Sequence, residues 1–348
     1  MGENSKIEWT DHTFNPWIGC SKVSRGCEHC YAERLVQRFG TAQWGPAGTR
    51  ERTSPTYWRQ PLAWNRKAQR DGVRRRVFCA SLADVFEDRP ELETWRDELL
   101  ALIIATPHLD WLLLTKRPDR MAAYFQARPR SEVGGWVKGN HRQCVPGAEY
   151  SGAWPPPNAW LGTSAEDQTT FDDRVLWLMR CGATLNDAGA VAVATVLFVS
   201  LEPLLSPIDA SGVLGLHEQP CWCEQCAGTS TMERVSMVDW VIVGGESGPH
   251  ARPMHPDWAR SLRDQCQAAG VRFFFKQWGE WAETRPAKFC RLSQRRWSHE
   301  TFAWAKDGTV YNPVQPPAHH FPHTMMFRVG KRAAGRLLDG VEHSEFPH

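Results

Sequence analysis

The sequence predicts an α/β fold in which successive βα units build a TIM-like barrel, with loop insertions and a C-terminal extension. Three observations predict it. Short apolar runs recur along the chain, helical patterns lie between several of them, and polar or ionisable residues follow every run. Each run is continuous, as in strands buried on both faces, and strand–helix alternation at this spacing means a parallel sheet.

The runs are VFCAS (77–81), WLLLT (111–115), AWLGTS (159–164), VLFVS (196–200), WVIVGG (240–245) and RFFFK (272–276), with a weaker candidate around Phe14 to Ile18. Between them, residues 90–106 place Leu92, Trp95, Leu99, Leu102 and Ile103 on one helical stripe behind Pro90. Residues 256–270 repeat the plan, with Pro256 at the start and Gly270 as the stop. Residues 169–182 make a third helix. The barrel is expected over 1–285, with insertions at about 126–158 and 206–236, and 286–348 packs on it as an extension.

The chain has 348 residues and a net charge of +2, which gives no global drive toward nucleic acid. The basic clusters Arg74-Arg75-Arg76, Lys116-Arg117 and Lys331-Arg332 read first as solvated faces. No apolar stretch is long enough for a membrane span, and the N-terminus lacks an apolar signal core. A cytoplasmic protein is expected. Eleven cysteines in that setting point to metal binding or catalysis plus a few buried thiols. The 18 tryptophans read mainly as core packing, with some available to stack on a flat ligand.

Asp84 and Glu87, Lys116, Glu166, Glu202 and Glu246 follow the first five runs in turn, and Lys276 and Gln277 come within and after the sixth. In a parallel barrel these ends converge on one mouth, where chemistry sits. Charged residues commonly begin loops, so a single case means little, but six in a row mean a convergent site. Gly244-Gly245-Glu246-Ser247-Gly248 adds a backbone that a ligand can approach closely, and it lacks the phosphate-loop pattern.

Cys20, Cys27 and Cys30, in the pattern C-x6-C-x2-C, fall on the first loop of that mouth. Three thiolates on a [4Fe–4S] cubane leave one iron free for substrate or cofactor. The alternatives are a structural zinc completed by His12 or His29, and unrelated buried thiols. A second group, Cys221, Cys223 and Cys226, reads as a zinc knuckle with His217, as a second cluster, or as a metal-free loop. Cys79 and Cys266 read as small core residues.

The chain resembles the three-Cys-motif family of phage and prophage proteins of unknown function, which is related to radical S-adenosylmethionine (SAM) enzymes. The matching segments are FNPWIGC (14–20), GCEHCYAE (26–33), LADVFE (82–87), LLLTKRP (112–118), WLGTSAEDQ (160–168), SLEPLL (200–205), DWVIVGGESGPHARPMHPDW (239–258), FFFKQWGEW (273–281) and VGKRAAGRLLDG (329–340). The commoner radical SAM spacing is C-x3-C-x2-C with an aromatic before the third cysteine; here the first gap is six and Tyr31 follows it.

The resemblance implies a partial (βα)6 barrel, a [4Fe–4S] cluster on Cys20, Cys27 and Cys30, and SAM cleavage to start radical chemistry. It implies cofactor contacts from Ser200, Glu166, Gly244, Gly245, Glu246 and Tyr31, and catalytic roles for Lys116, Glu202 and Lys276. It also implies an external reductant, a dedicated partner protein encoded nearby, and a nucleic-acid base or nucleoside as substrate. Two other function classes compete. One is a metal-dependent hydrolase or nuclease using Asp84, Glu166, Glu202 and Glu246. The other is a zinc-stabilised binding protein.

Overall fold

The computed structural model describes residues 2–40, 42–127, 154–185, 191–193, 195–215, 217–219, 233–235, 237–283, 301–304, 310–311 and 324–347. Seven strands form one sheet: β1 (His12–Thr13), β2 (Arg75–Cys79), β3 (Leu109–Thr115), β4 (Ala159–Ser164), β5 (Leu197–Leu201), β6 (Trp240–Gly244) and β7 (Arg272–Gln277). Their spatial order is their chain order, and every neighbouring pair is parallel. A doubly wound sheet reverses its order at a switch point. This one never does, so it winds in one direction as a half-barrel.

The six apolar runs are thus strands of one parallel sheet. The weak first strand lies slightly earlier than expected, at His12–Thr13. The Trp17–Ile18 stretch instead pairs antiparallel with Glu51–Arg52. The helices are α1 (Tyr31–Phe39), α2 (Gln60–Asp71), α3 (Pro90–Ile104), α4 (Pro118–Ala127), α5 (Gln168–Gly182) and α6 (Pro256–Ala269). Prolines open α3, α4 and α6, where a missing N–H costs nothing, and left-handed glycines end α1, α2 and α6.

Alternate residues of each strand separate two cores. Val77, Leu113, Leu161, Val199, Val243 and Phe275 pack outward with the helices. Phe78, Leu112, Trp160, Phe198, Ile242 and Phe274 face inward and close the bottom of the barrel with Trp9 and Trp240. Gly162 makes room for this plug: a Cβ there would lie 2.3 Å from Phe198 Cζ. The C-terminal tail lies along β7 and carries Phe346 to the plug, 5.3 Å from the Trp240 ring. Many of the tryptophans are therefore structural. Cys79 and Cys266 are buried in the outer core, as expected for small hydrophobes.

A four-stranded antiparallel sheet pairs Trp281–Ala282 with Thr324–Arg328, then Thr301–Trp304 and Val310–Tyr311. A hairpin, His217–Gln219 with Glu233–Val235, flanks Cys221, Cys223 and Cys226, which themselves lie outside the described residues. Among the described residues no helix is long and apolar enough to cross a membrane.

Candidate functional site

Two residues beyond each inward plug residue the same face reaches the barrel mouth. Ala80, Leu114, Ser200 and Lys276 stand there, with Lys116, Ser164 and Glu202 one further pair along. All of them line one cavity of about 1150 Å³. Cys20, Cys27 and Cys30 line the same cavity from the loop joining β1 to α1. Cys30 is the N-cap of α1, where the nearby Ala32 and Glu33 amides favour its thiolate without a side-chain capping hydrogen bond. Burial still pushes that thiol up. Burial and the Asp84 carboxylate push Cys20 up to about 12, against the opposing Arg117 cation.

The cysteine loop is fastened to the ends of three alternate strands, each time through a carboxylate. Beyond β2, Asp84 holds Arg117 at 2.8 Å, and Arg117 donates to the Ser21 carbonyl at 2.9 Å. Nearby, Glu87 accepts Ser21 Oγ at 2.7 Å and a two-pronged contact from the buried Arg50 at 2.6 and 2.7 Å. Beyond β4, Glu166 accepts the Gly26 N–H at 3.0 Å and pairs with Arg174 at 3.1 Å and Lys116 at 3.6 Å. Burial pushes the Glu166 carboxyl up, but Lys116, Ser24, the Gly26 amide and Arg174 together bring it below its ordinary value. Beyond β6, Glu246 pairs with Arg252 at 2.7 Å, and Arg252 reaches the Arg25 carbonyl at 3.0 Å and Glu28 at 2.8 Å.

The remaining strand-end pair faces the cavity. Glu202 and Lys276 meet at 2.9 Å across β5 and β7, with Ser200 Oγ 3.4 Å from the same carboxylate. Lys116 Nζ donates to Ser164 Oγ at 2.6 Å. Of the residues expected at the site, Cys20, Cys27, Cys30, Tyr31, Lys116, Ser200, Glu202, Gly245, Glu246 and Lys276 reach the cavity wall. Glu166 and Gly244 stand behind it.

The glycine-rich segment owes its composition to internal close approaches. A Cβ on Gly244 would lie 2.5 Å from Glu202 Oε1, and one on Gly245 would lie 2.1 Å from the Trp278 carbonyl oxygen. Arg117, part of a basic cluster that reads first as a solvated face, is instead engaged by Asp84, Ser21 and Cys20. Arg50, Arg174 and Arg252 escape a reading of the sequence, because no local pattern marks an arginine whose partner lies up to 227 residues away.

The geometry bears on the competing metals. His12 stacks on Trp64 at 4.5 Å and does not line the cavity; His29 does. Among the described residues, no three His, Cys, Asp or Glu side chains close on a single ion. Asp84, Glu166, Glu202 and Glu246 each face their own cation. Each arginine of the Arg74-Arg75-Arg76 cluster likewise has a carboxylate partner, Asp110 for Arg74 and Asp11 shared by the other two.

Among solved structures, the chain is similar to two of substituted forms of spore photoproduct lyase, one with bound AdoMet and dinucleoside spore photoproduct. Each is 12% identical with a TM-score of 0.39, covering 89% of this chain and 70% of that one. The enoyl reductase domain of MlnA, from the macrolactin biosynthesis cluster of Bacillus amyloliquefaciens, is 12% identical with a TM-score of 0.26. That alignment covers 75% of this chain and 46% of that domain. No curated protein matches. A family model does match, over residues 4–347, and by that match across nearly its whole length the chain belongs to the family described as Protein of unknown function (DUF5131).

Proposed function

We propose that the chain is a radical SAM-type iron–sulfur enzyme acting on a flat substrate of the nucleobase or nucleoside class. The observation that carries this reading is the convergence of three thiols, with no fourth among the described residues, on one cavity at the mouth of a parallel half-barrel. The residues fit the cluster. Soft thiolates suit iron–sulfur ligation, they do not close on one ion, and a three-point carboxylate framework holds their loop. Cys20, Cys27 and Cys30 would hold it. When bound, it supplies an iron without a protein ligand, at which SAM is held and reduced.

The chain's own residues do the rest. Glu202 and Lys276 present an acceptor and a donor side by side on the wall, suited to the zwitterionic end of an amino acid or to a proton at a substrate heteroatom. Tyr31, Trp44, Trp64 and Phe78 put aromatic surface on the wall, which supports a flat ligand. The volume, above the ~300–1,000 Å³ usual for one small molecule, supports a site shared by cofactor and substrate. The hydrolase reading loses support because each of its carboxylates already faces a cation. The zinc reading loses His12.

The test is anaerobic reconstitution with iron and sulfide, followed by absorption and EPR spectra with and without SAM. About four irons per chain, a broad visible band and a SAM-altered EPR signal are expected, all absent from the Cys20→Ala, Cys27→Ala, Cys30→Ala triple variant. A colourless protein carrying zinc alone overturns the reading.

A further inference from the structure

We propose that Arg117 sets the reduction potential of the cluster through its contact with the Cys20 sulfur, acting as a positioning residue. The proposal rests on the cluster reading above.

Arg117 directly follows Lys116 at the end of β3. Its guanidinium is held on several sides: Nη1 donates to Asp84 at 2.8 Å, Nη2 donates to the Ser21 carbonyl at 2.9 Å, and Nη2 lies 3.7 Å from Glu87. Its side chain is only 12% exposed. So fixed, Nη1 also faces Cys20 Sγ at 3.8 Å. The other two thiols are served differently. Cys30 stands at the N-terminus of α1 near its first amides, with no side-chain hydrogen bond to them. The ammonium of Lys22 goes to Glu33 at 2.7 Å and to the Glu28 carbonyl at 3.3 Å, and acts on Cys27 and Cys30 only through space. Among the described residues, Cys20 alone has a guanidinium on its sulfur.

An electron added to a cluster is a negative charge placed among its sulfurs. A fixed cation donating to a ligand sulfur stabilises the reduced form and raises the potential. The effect is strong where water is scarce, because Coulomb interactions grow as the local dielectric falls. Asp84 pulls the other way: it sits beside the same guanidinium and offsets part of its charge. The two residues are therefore expected to shift the potential in opposite directions. A role confined to holding the loop in shape would make both substitutions act in the same direction, through loss of iron.

The experiment uses the full chain as wild type, Arg117→Gln, Arg117→Lys and Asp84→Asn, each reconstituted anaerobically with iron and sulfide. Each is titrated with titanium(III) citrate and mediators, and the reduced fraction is read by EPR. At the wild-type midpoint, Arg117→Gln is expected to lower the ratio of reduced to oxidised cluster about tenfold, or 59 mV for one electron. Asp84→Asn is expected to raise that ratio, and Arg117→Lys to stay close to wild type. Unshifted potentials, or shifts of the same sign in Arg117→Gln and Asp84→Asn, overturn the proposal. Should Arg117→Gln fail to retain iron, Asp84→Asn decides: a raised potential supports the proposal, and any other result overturns it. A wild-type protein that takes up no iron overturns the cluster reading itself, whereas a wild-type cluster with unshifted variants overturns only the role of Arg117.

Discussion

The backbone N–H of Gly26 donates to the carboxylate of Glu166 at 3.0 Å, across 140 residues of chain. A Cβ on Gly26 would lie 2.9 Å from Glu166 Oε2 and 3.3 Å from Lys116 Nζ. Glu166 cannot swing away, because Arg174 holds it in full burial. Gly26→Ala is therefore expected to cost about 1–3 kcal/mol and to loosen the loop between Cys20 and Cys30. Thermal unfolding together with the alkylation rate of the three thiols checks this. Unchanged stability with unchanged alkylation would remove the Glu166 anchor from the account.

The same carboxylate sets an acid limit. Its pKa is lowered in the fold, because its cationic and hydrogen-bonding partners outweigh burial. A group with a depressed folded pKa contributes stability above its unfolded pKa, and that contribution is lost as pH falls through the folded value. The Glu166 share of stability is thus intact at neutral pH and disappears below about 4.5, the ordinary glutamate range. Glu166→Gln should be less stable than wild type at pH 7, with the gap narrowing toward pH 3. Denaturant midpoints at the two pH values measure it, and a gap that widens on acidification contradicts the assignment.

Arg252 joins the end of β6 to the cysteine loop through Glu246, Glu28 and the Arg25 carbonyl. Arg252→Ala leaves the buried Glu246 carboxylate without its cation, at a cost of about 1–3 kcal/mol. Limited trypsin digestion should then cut faster at Arg25, while the rest of the barrel digests as before. Equal cleavage rates in the two proteins would show that the loop holds its place without this clasp.

Much of this architecture was legible in the sequence, and the reasons differ by residue. The strands were visible because both faces are buried, so VFCAS and WVIVGG read as continuous apolar runs. The mouth was visible because the C-terminal ends of parallel strands converge on one side, which brings Glu202, just after β5, and Lys276, near the end of β7, to one cavity. The division of labour among the carboxylates was not visible. Asp84, Glu166 and Glu246 look like Glu202 in sequence, and only the folded chain brings Arg117, Arg174 and Arg252 to them. The first strand is hidden in the sequence because its two residues, His12 and Thr13, carry no apolar signal; their pairing with Val77 and Phe78 defines them. Gly244 and Gly245 suggest ligand approach in the sequence, and the structure adds a separate reason for them, because Glu202 and the Trp278 carbonyl fill the space a side chain would need.

Glu202 and Lys276 separate binding from folding. They form the strand-end pair that faces the cavity without holding the cysteine loop. Lys276→Met removes the donor and keeps the bulk of the stem. The reconstituted variant is expected to keep its iron and visible band and to lose SAM affinity or turnover at least about tenfold, since one charge-assisted hydrogen bond is worth about 1.5–3 kcal/mol. Glu202→Gln should fall by a similar factor, and the double variant by less than the product of the two, because contacting residues couple. Fully additive losses would mean that the two side chains act on different parts of the ligand. Loss of iron in Lys276→Met would move that lysine into the framework that supports the cysteines.

Gly162 offers a check on the barrel that involves no cofactor. The inward ring of Phe198 occupies the space a side chain at 162 would need, with the built Cβ 2.3 Å from Cζ and 2.5 Å from both Cε atoms. Phe198 is itself fully buried and lies 6.4 Å from Trp9 and 5.9 Å from Trp240, so the ring has nowhere to retreat. Gly162→Ala is expected to destabilise by about 1–3 kcal/mol, the usual cost of overpacking. Phe198→Leu alone should also destabilise, by opening a cavity in the plug. Combined, the smaller side chain makes room for the new methyl, so the double variant should be more stable than the sum of the single losses predicts. A double-mutant cycle by denaturant unfolding reads the coupling. Strict additivity would mean that Gly162 and Phe198 do not meet across the barrel, and the inward register of β4 against β5 would have to be redrawn.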